Sequence, residues 1–358
     1  MKLILENEIK VVCKRNVFLA VKNKIKKILE SSILISGGDD WKIIKNSTKE
    51  LAFNDCYIRK FQTIGTTSEK ITVSPTSWNQ GIGDHYLLFN NQEELMMFRK
   101  DKCMILKYGH WVEHSSYNAK RNTRSSLIIQ MPGAIFLFGK ASSTFRKFER
   151  TYEYLPNGSH SWNLVKLPEG EDFNFWCSFG LAISANELLV MGGINPSDAT
   201  NPLEPRRKIM KLNTHDNSWM HFGNLRVGRK NANAVIFNNR IIISGGRINH
   251  ELTSLRSTEI LTLQKTKSHQ TELQHTHYVD IKDGGDTAFS RLGKLCMGLI
   301  HVENKTRLIM FGGESPIEEW DEETESWQRS NLSPPTVHSS FGYCYISQSL
   351  NFQNCSLK

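Results

Sequence analysis

The sequence lacks long apolar runs. Its 358 residues are 39% hydrophobic and 23% charged, which is ordinary for a globular protein. The most apolar windows, such as LIIQMPGAIFLFG, are interrupted by polar residues and Pro-Gly. None approaches the roughly 18 consecutive apolar residues that a membrane-spanning helix needs. We therefore expect no such span.

Paired cysteines and recognisable cofactor motifs are also missing. No GxGxxG or GxxxxGK[ST] phosphate loop and no GxSxG nucleophile turn occurs. The cysteines include no CxxC pair, so the sequence favours reduced thiols over a zinc site or a disulfide framework. The seven cysteines are Cys13, Cys56, Cys103, Cys177, Cys296, Cys344 and Cys355.

The positive charge is unevenly distributed. The net charge is +9, and residues 1–30 contain eight Lys or Arg against three Glu. In this segment Phe18, Val21, Ile25 and Leu29 recur at near-helical spacing, which predicts a short amphipathic basic helix. The favoured interpretation is a segment that docks on the body with solvated lysines. Contact with a membrane surface or nucleic acid, and a targeting role, are the alternatives.

One pattern recurs along the rest of the chain: an apolar strand, a short turn, and a second apolar strand ending in Gly-Gly or its remnant. It is clear in SSLIIQMPGAIFLFGK, FGLAISANELLVMGG, ANAVIFNNRIIISGG and MGLIHVENKTRLIMFGG, and weaker in ILISGG and HYLLFNN. With Asn90-Asn91 taken as a degenerate doublet, the doublets begin at positions 37, 90, 139, 192, 245 and 312. A period of about fifty residues is typical of propeller blades.

Three repeats end in a tryptophan. Trp219 follows Leu212, and Trp327 follows Trp320, with six residues between them in each case; Trp162 follows Tyr154 with one residue more. The intervening residues are polar turn formers, so each pair predicts a third and a fourth strand joined by a tight turn. A fourth-strand tryptophan is expected to pack between neighbouring blades.

Together these features resemble kelch-repeat proteins, in which an arginine precedes the first strand, a glycine doublet follows the second and a tryptophan lies in the fourth. NLRVGRKNANAVIFNNRIIISGG supplies the arginine and the doublet. The likeness covers about residues 31–347, is strongest in repeats three to six, and is similar to degenerate invertebrate arrays that carry no other domain. The structural residues that it implies are Gly37, Gly38, Gly139, Gly192, Gly193, Gly245, Gly246, Gly312, Gly313, Trp162, Trp219, Trp327, Arg124 and Arg229.

The resulting expectation is an all-β fold: a six-bladed kelch-type propeller of four-stranded antiparallel blades over residues 31–358, preceded by the basic segment 1–30. FGYCYIS at 341–347 resembles a first strand, and too few residues follow it to build another blade. We expect it to pair with ILISGG and to close the ring. The alternative closing strand is NVFLAV at 17–22.

Enzymes are also built on propellers. The kelch-like pattern is similar to copper-radical oxidases, and its turns resemble those of sialidases only in their tryptophans; neither set of catalytic residues is complete here. The long insertion before the last repeat holds two histidines and three aspartates that could bind a metal, although a solvated loop is favoured. We assign no catalytic residue, metal or cofactor. The insertion residues are His275, His277, Asp280, Asp283 and Asp286.

The loops that join strands two to three and blade to blade share one face, which is the candidate binding surface. Its segments AKRNTR, FRKFER, EPRRK and RVGRK are basic, and the last blade adds acidic residues. A bipolar face favours a protein partner over the uniform backbone of a nucleic acid. The predicted binding residues are Arg146, Lys147, Arg206, Arg207, Lys208, Arg247, Glu314 and Glu318.

The sequence therefore favours a non-enzymatic module that presents its loop face to a protein or peptide partner, without a small-molecule cofactor. Kelch resemblance implies substrate recognition for a cullin-based ubiquitin ligase, but about 30 residues before the first blade cannot hold the BTB and BACK domains of such receptors. A propeller oxidase, hydrolase or lyase and a secreted carbohydrate-binding propeller are the alternatives. A cytoplasmic monomer is expected, or a secreted protein if the N-terminus is incomplete.

Overall fold

The computed structural model consists of β-strands and turns, and the residues that it describes include no α-helix. None of the described segments is therefore a helix able to cross a membrane. The predicted helix in residues 1–30 lies outside the described residues. Those residues are 32–36, 56–62, 65–71, 86–89, 94–99, 102–107, 110–119, 126–139, 150–168, 175–195, 204–248, 255–265, 271–280, 296–302, 305–312, 315–331 and 342–345.

The described strands form six four-stranded antiparallel sheets, a propeller-like arrangement. Sheets two to six each use four strands in chain order. Sheet two consists of β4 (Tyr86–Phe89), β5 (Leu95–Phe98), β6 (Lys102–Lys107) and β7 (His110–Ser116). Sheet three consists of β8 (Leu127–Gln130), β9 (Ala134–Phe138), β10 (Thr151–Pro156) and β11 (Asn163–Lys166), and sheet four of β12 (Phe179–Ala182), β13 (Glu187–Met191), β14 (Lys208–Asn213) and β15 (Ser218–Asn224). Sheet five consists of β16 (Asn233–Phe237), β17 (Arg240–Ser244), β18 (Ser257–Lys265) and β19 (Thr271–Asp280), and sheet six of β20 (Cys296–Val302), β21 (Lys305–Gly312), β22 (Ser315–Asp321) and β23 (Ser326–Arg329).

Sheet one joins distant parts of the chain. Its first strand is β24 (Gly342–Tyr345), which pairs antiparallel with β1 (Ser32–Ser36) and is followed by β2 (Cys56–Gln62) and β3 (Gly65–Ile71). The C-terminal segment is thus the partner of ILISGG in the described structure. The alternative segment, NVFLAV, lies outside the described residues.

In sheets two to six, the central side chains of the second strands are buried on both faces wherever they are described. Ile241, Ile242 and Ile243 of β17 are at most 1% exposed, although consecutive side chains of a strand point to opposite faces. Both faces are covered because neighbouring sheets pack on either side of the strand. An uninterrupted apolar run, instead of an alternating one, is the sequence signal of this position.

The apolar core lies between consecutive sheets. Separate clusters fill the spaces between sheets two and three, three and four, four and five, and five and six. In contrast, most side chains of the fourth strands β11 and β15 are exposed or half-buried. Burial of each large apolar side chain contributes about 1.5–3 kcal/mol, so stability is concentrated between the sheets.

The first strands lie side by side on the inner edge of the arrangement. Strand β12 lies beside β8 and β16, β20 lies beside β16 and β24, and β24 lies beside β4. The fourth strands form the opposite, outer edges of the sheets. Loops that join the second and third strands therefore emerge on the same face as the connections from one sheet to the next.

The assignment of HYLLFNN as a second strand was wrong. Tyr86–Phe89 is the first strand of sheet two, and the second strand is Leu95–Phe98. Asn90-Asn91 lies outside the described residues, but in the sequence it follows the first strand of the sheet and not the second, so it is not a degenerate doublet. Asparagines favour turns, so an apolar strand followed by two asparagines fits either the first or the second strand of a hairpin, and the sequence does not distinguish them.

Candidate functional site

The glycine doublets of sheets four and five lie where three loops meet. Gly192 and Gly193 follow β13 with φ of 59° and 85°, values that L-residues rarely adopt. A Cβ atom on Gly192 would overlap the carbonyl oxygen of Arg229. The backbone N–H of Gly193 donates to that oxygen (2.9 Å), and the N–H of Arg206 donates to the carbonyl of Gly193 (2.8 Å). The doublet thus permits the close approach of two neighbouring loops; we call this side of the protein the doublet face.

Arg229 is fully buried at this junction. Its guanidinium donates to the carbonyl oxygens of Gly245 and Ser257, both at 2.9 Å, and to Glu259 Oε1 at 2.9 Å. These partners belong to sheet five, whereas the Arg229 carbonyl accepts a hydrogen bond from Gly193 of sheet four. One residue therefore links the two sheets. A buried ion pair of this kind is supported by its hydrogen bonds, because removal from water costs several kcal/mol per ion.

Buried glutamates occupy equivalent positions in three sheets. Glu153, Glu259 and Glu318 lie in the third strands, each opposite the residue two positions before the first glycine of its doublet, and each is 0% exposed. Glu153 accepts from the N–H groups of Asn118 (2.7 Å) and Ala119 (3.3 Å), which precede sheet three. The third-strand glutamate therefore fastens the preceding connection to its sheet.

This burial corrects the predicted role of Glu318. The residue lies inside β22 and is 0% exposed, so it is not part of a binding rim. Its neighbour Glu319 also belongs to that strand. The acidic half of the predicted bipolar face is therefore not formed by Glu318. Glu314 lies outside the described residues.

A basic cluster lies beside the buried arginine. We define it by Cys177, Arg206, Lys230 and Arg247; Arg206 joins it through its backbone, because its carbonyl accepts from the N–H of Arg229 (3.3 Å) next to Lys230. The backbones of Lys230 and Arg247 face each other and exchange two hydrogen bonds, of 3.0 and 2.9 Å. The carbonyl of Cys177 accepts from the N–H of Asn231 (2.8 Å). Segments that precede or follow strands of sheets four and five thus converge here.

The surroundings disfavour positive charge in the basic cluster. Burial lowers the pKa of Arg206 to about 10. The pKa values of Lys230 and Arg247 are also lowered, in both cases mainly by burial. Burial raises the pKa of the Cys177 thiol to about 11, against the opposing effect of Lys230. The thiol is consequently neutral at physiological pH and offers no negative charge to the neighbouring cations.

Four of the predicted binding residues can be located on the doublet face. Arg206 and Arg247 are half-buried, and Arg207 and Lys208 are exposed. The structure therefore brings Arg206 and Arg247 into the basic cluster, with Arg207 and Lys208 next in the chain. Two other predicted residues, Arg146 and Lys147, lie outside the described residues.

Sequence reasoning missed the roles of Lys230 and Cys177. Lys230 is only 8% exposed, although a lysine in a basic loop segment is usually solvated. Cys177 has φ of 58°, an uncommon conformation for a residue other than glycine. The available signal was positional: Lys230 directly follows the leading arginine of its repeat, and Arg247 directly follows the doublet.

Trp219 packs between sheets three and four. Its ring lies 5.1 Å from that of Phe175 and 6.0 Å from those of Phe138 and Tyr152, measured between centroids. The Tyr152 hydroxyl also donates to Asn217 Oδ1 across the same junction (2.8 Å). An aromatic side chain of the fourth strand thus contacts the preceding sheet.

The other two tryptophans occupy the same kind of junction. Trp162 Nε1 donates to Ser115 Oγ of sheet two (2.9 Å), and Trp327 Nε1 donates to Thr258 Oγ1 of sheet five (2.9 Å). The two indoles are 5% and 0% exposed. Each buried N–H therefore has an acceptor in the sheet that precedes its own.

The spacing in sheet three needs a correction. Tyr154 pairs with Asn163, so the next pair in this antiparallel register brings Leu155 opposite Trp162. In sheet four Leu212 likewise pairs with Trp219. The partner of Trp162 is therefore Leu155, with the same six intervening residues as in the other repeats.

The remaining structural predictions divide by location. Gly139 has φ of 130°, and Gly245 and Gly246 have φ of 70° and 84°. Gly312 is the last residue of β21. Gly37, Gly38, Gly313 and Arg124 lie outside the described residues.

The described residues contain no group of three or more histidine, cysteine, aspartate or glutamate side chains arranged for a metal ion. His275, His277 and Asp280 belong to β19, which pairs with β18, so this part of the predicted insertion loop is a strand. Asp283 and Asp286 lie outside the described residues.

Comparison with known proteins supports the fold alone. No family model and no curated protein matches the sequence. The solved structure of YjhT is similar, with a TM-score of 0.51 and 14% sequence identity over 69% of this chain and 82% of that chain. At this identity the likeness extends to the arrangement of sheets and carries no information on activity.

Proposed function

We propose that the chain is a six-bladed kelch-type propeller. Support comes from the six four-stranded sheets, from first strands that lie side by side, and from the pairing of β24 with β1. In such a ring each sheet is one blade, and a blade built from both ends of the array leaves no sheet edge open at its closure. The arginine, doublet and tryptophan positions of the repeats agree with this interpretation.

The propeller is a non-enzymatic interaction module that binds a protein or peptide partner on the doublet face. The observation that carries this proposal is the basic cluster, with exposed Arg207 and Lys208 beside it. Loops on a rigid scaffold commonly carry binding function. Positive groups on such a face attract and orient a partner with an acidic segment. The proposal includes a cytoplasmic monomer, which light scattering and cell fractionation can test.

Capture of partners from native cell extract tests the proposal. The tagged full chain is compared with the double variant Arg207→Glu/Lys208→Glu, which reverses two exposed charges on the doublet face. Lys107→Glu/Lys305→Glu is the matched control, because it makes the same change of charge at exposed positions of sheets two and six, at the strand ends opposite the doublet face. Mass spectrometry identifies the retained proteins.

We expect specific partners to be retained by the wild-type chain and the control and lost from the doublet-face variant. Equal loss from both variants would mean that total charge, and not this face, governs capture. If partners persisted in the doublet-face variant, binding would have to be assigned to another surface. An absence of specific partners from all three proteins would count against the interaction module itself.

A further inference from the structure

Two histidines of different sheets are in direct contact. His114 belongs to β7 of sheet two, and His160 lies in the turn between β10 and β11 of sheet three. The centroids of their imidazole rings are 4.6 Å apart, with 32° between the ring planes. His160 is exposed, and His114 is half-buried. Because the turns between third and fourth strands lie opposite the doublet face, partner binding on that face does not use this pair.

Each ring has one nitrogen beside an oxygen of the protein. His160 Nδ1 lies 3.3 Å from the carbonyl oxygen of His114. A carbonyl oxygen can only accept, so Nδ1 of neutral His160 carries the hydrogen and Nε2 keeps its lone pair. His114 Nδ1 lies 3.1 Å from Ser115 Oγ, which also accepts from Trp162 Nε1. A hydroxyl oxygen can accept twice, so His114 can adopt the same tautomer. Neither Nε2 atom has a hydrogen-bond partner among the described residues.

Histidines that bind metal ions have this arrangement, in which one nitrogen ligates the ion and the other donates its hydrogen to an oxygen of the protein. The ligating nitrogen must be unprotonated. Burial, and next the charge of His160, lowers the pKa of His114, whereas Glu94 opposes this effect and Lys107 adds to it. The surroundings therefore keep His114 in the form that binds a metal ion.

We propose that His114 and His160 bind one divalent transition-metal ion through their Nε2 atoms, with water completing the coordination. Two nitrogens that ligate a tetrahedral Zn²⁺ ion are about 3.4 Å apart. The two rings are already in contact, and rotation of the exposed His160 side chain can bring its Nε2 atom to an ion held by His114.

The ligand set defines the class of ion and the kind of site. Imidazole suits Zn²⁺, Cu²⁺ and Ni²⁺, whereas Mg²⁺ and Ca²⁺ prefer oxygen ligands. No group of three or more histidine, cysteine, aspartate or glutamate side chains is arranged for a metal ion in the described part of the chain. Two protein ligands are fewer than a closed structural zinc site uses, so the ion is exchangeable and stays open to a further ligand from solution.

Metal titration tests the inference. Isothermal titration calorimetry measures the affinity of the metal-free full chain for Zn²⁺, with Mg²⁺ as the ion that prefers oxygen ligands. The site variants are His114→Gln, His160→Gln and the double variant His114→Gln/His160→Gln. His215→Gln is the matched control, because His215 is an exposed histidine in the corresponding turn of sheet four, between β14 and β15.

We expect Zn²⁺ to bind and Mg²⁺ not to bind. Loss of a group that only orients a ligand lowers metal affinity about 10- to 100-fold, so loss of a ligand should weaken Zn²⁺ binding by at least about tenfold in each site variant. The control should change the affinity by less than about twofold, because a distant residue acts independently. Binding should also weaken between pH of about 7.5 and about 5.5, since protons compete for the imidazoles.

The double variant tests whether the two histidines share one ion. When one ligand is gone, removal of the other costs little more, so the double variant should bind about as weakly as each single variant. His160 is exposed, so His160→Gln decides the outcome if His114→Gln lowers the melting temperature. Absence of Zn²⁺ binding, binding that persists in the site variants, an equal effect of His215→Gln, or additive losses in the double variant would overturn the inference.

Discussion

Neighbouring sheets are joined by two kinds of contact, one aromatic and one between buried charges. Between sheets three and four, Trp219 packs against Phe138, Tyr152 and Phe175. On the doublet face between sheets four and five, the link is buried Arg229, with its partner Glu259. Aromatic packing stabilises through area and tolerates small displacements. A buried ion pair is sensitive to the loss of either partner, so it fixes the position of a loop more than it adds stability.

The largest expected effect comes from breaking the charged link. Arg229→Met leaves Glu259 buried without its cation and removes donors from the carbonyls of Gly245 and Ser257, so we expect a loss of about 3–5 kcal/mol in the free energy of unfolding. Denaturant titration measures it. The double variant Arg229→Met/Glu259→Leu should recover part of that loss, since the unpaired charge is gone but the N–H groups of Arg226 and Val227 lose their acceptor. A double variant no more stable than the single one would show that the pair is stabilising in itself.

Removal of an aromatic link should cost somewhat less. Trp219→Ala deletes the contacts with Phe138 and Phe175 and leaves a cavity that the half-buried site can partly fill with solvent. We expect a loss of about 3 kcal/mol, at the lower end for a large-to-small change. Trp219→Phe, measured in the same titration, should lose less than half of the unfolding free energy that Trp219→Ala loses. Equal losses would mean that the contact requires the indole and not the apolar area.

A variant with an intermediate effect distinguishes packing from hydrogen bonding in the aromatic contacts between sheets. Ser115→Ala removes the acceptor of Trp162 Nε1 and leaves the ring contacts in place. An unsatisfied buried donor costs about 1–3 kcal/mol, and we expect a destabilisation in that range. The double variant Ser115→Ala/Trp162→Phe gives the coupling by a mutant cycle. A coupling energy near zero would show that this hydrogen bond does not stabilise the junction.

The smallest effect is a pH dependence at the junction of sheets two and three. The rings of His114 and His160 contact each other at a tilt of 32°, with centroids 4.6 Å apart. Burial, and next the charge of His160, lowers the pKa of His114, whereas Glu94 opposes this effect and Lys107 adds to it. The folded state thus favours the neutral imidazole.

As pH falls below the ordinary histidine value of about 6.5, the unfolded chain takes up a proton that the folded chain resists, so stability decreases with acidification. The urea midpoint of the wild-type chain should fall more than that of His114→Gln between pH of about 7.5 and about 5.5. Parallel profiles for the two proteins would assign the acid sensitivity to other groups.

The sequence predicted the apolar contacts between sheets more fully than the contacts between charged residues. Second strands such as Arg240–Ser244 have an uninterrupted apolar centre because sheets cover both faces, and this pattern is visible in a single sequence. The fourth-strand tryptophans are also visible by spacing. The convergence of Lys230 with Arg247 depends on loops 17 positions apart, and nothing local distinguishes a buried lysine from a solvated one. Glu318 was wrongly predicted to be exposed for a similar reason, because nothing near it in the sequence distinguishes a buried glutamate from a solvated one.

Backbone contacts give an alternative to Arg124 as the arginine expected before sheet three, and Arg124 itself stays a prediction. The N–H of Ala119 donates to the third-strand glutamate of sheet three, as that of Val227 does in sheet five. Arg229 follows Val227 by two positions, and the same count from Ala119 reaches Arg121 instead of Arg124. Both candidates lie outside the described residues, so the comparison is one of spacing. We expect Arg121→Met to lower the melting temperature more than Arg124→Met does.

The pairing of β1 with β24 can form only late in the synthesis of the chain. Ser36 finds its partner, Gly342, only after more than three hundred further residues have been added. At translation rates of about 5–20 residues per second, that delay is roughly 15 to 60 s. Until then the apolar strand Ser32–Ser36 has one unpaired edge, while sheets two to six can form from consecutive strands. The first repeat to leave the ribosome is therefore the last sheet to be completed, and its open edge is the part of the nascent chain most in need of protection by a chaperone.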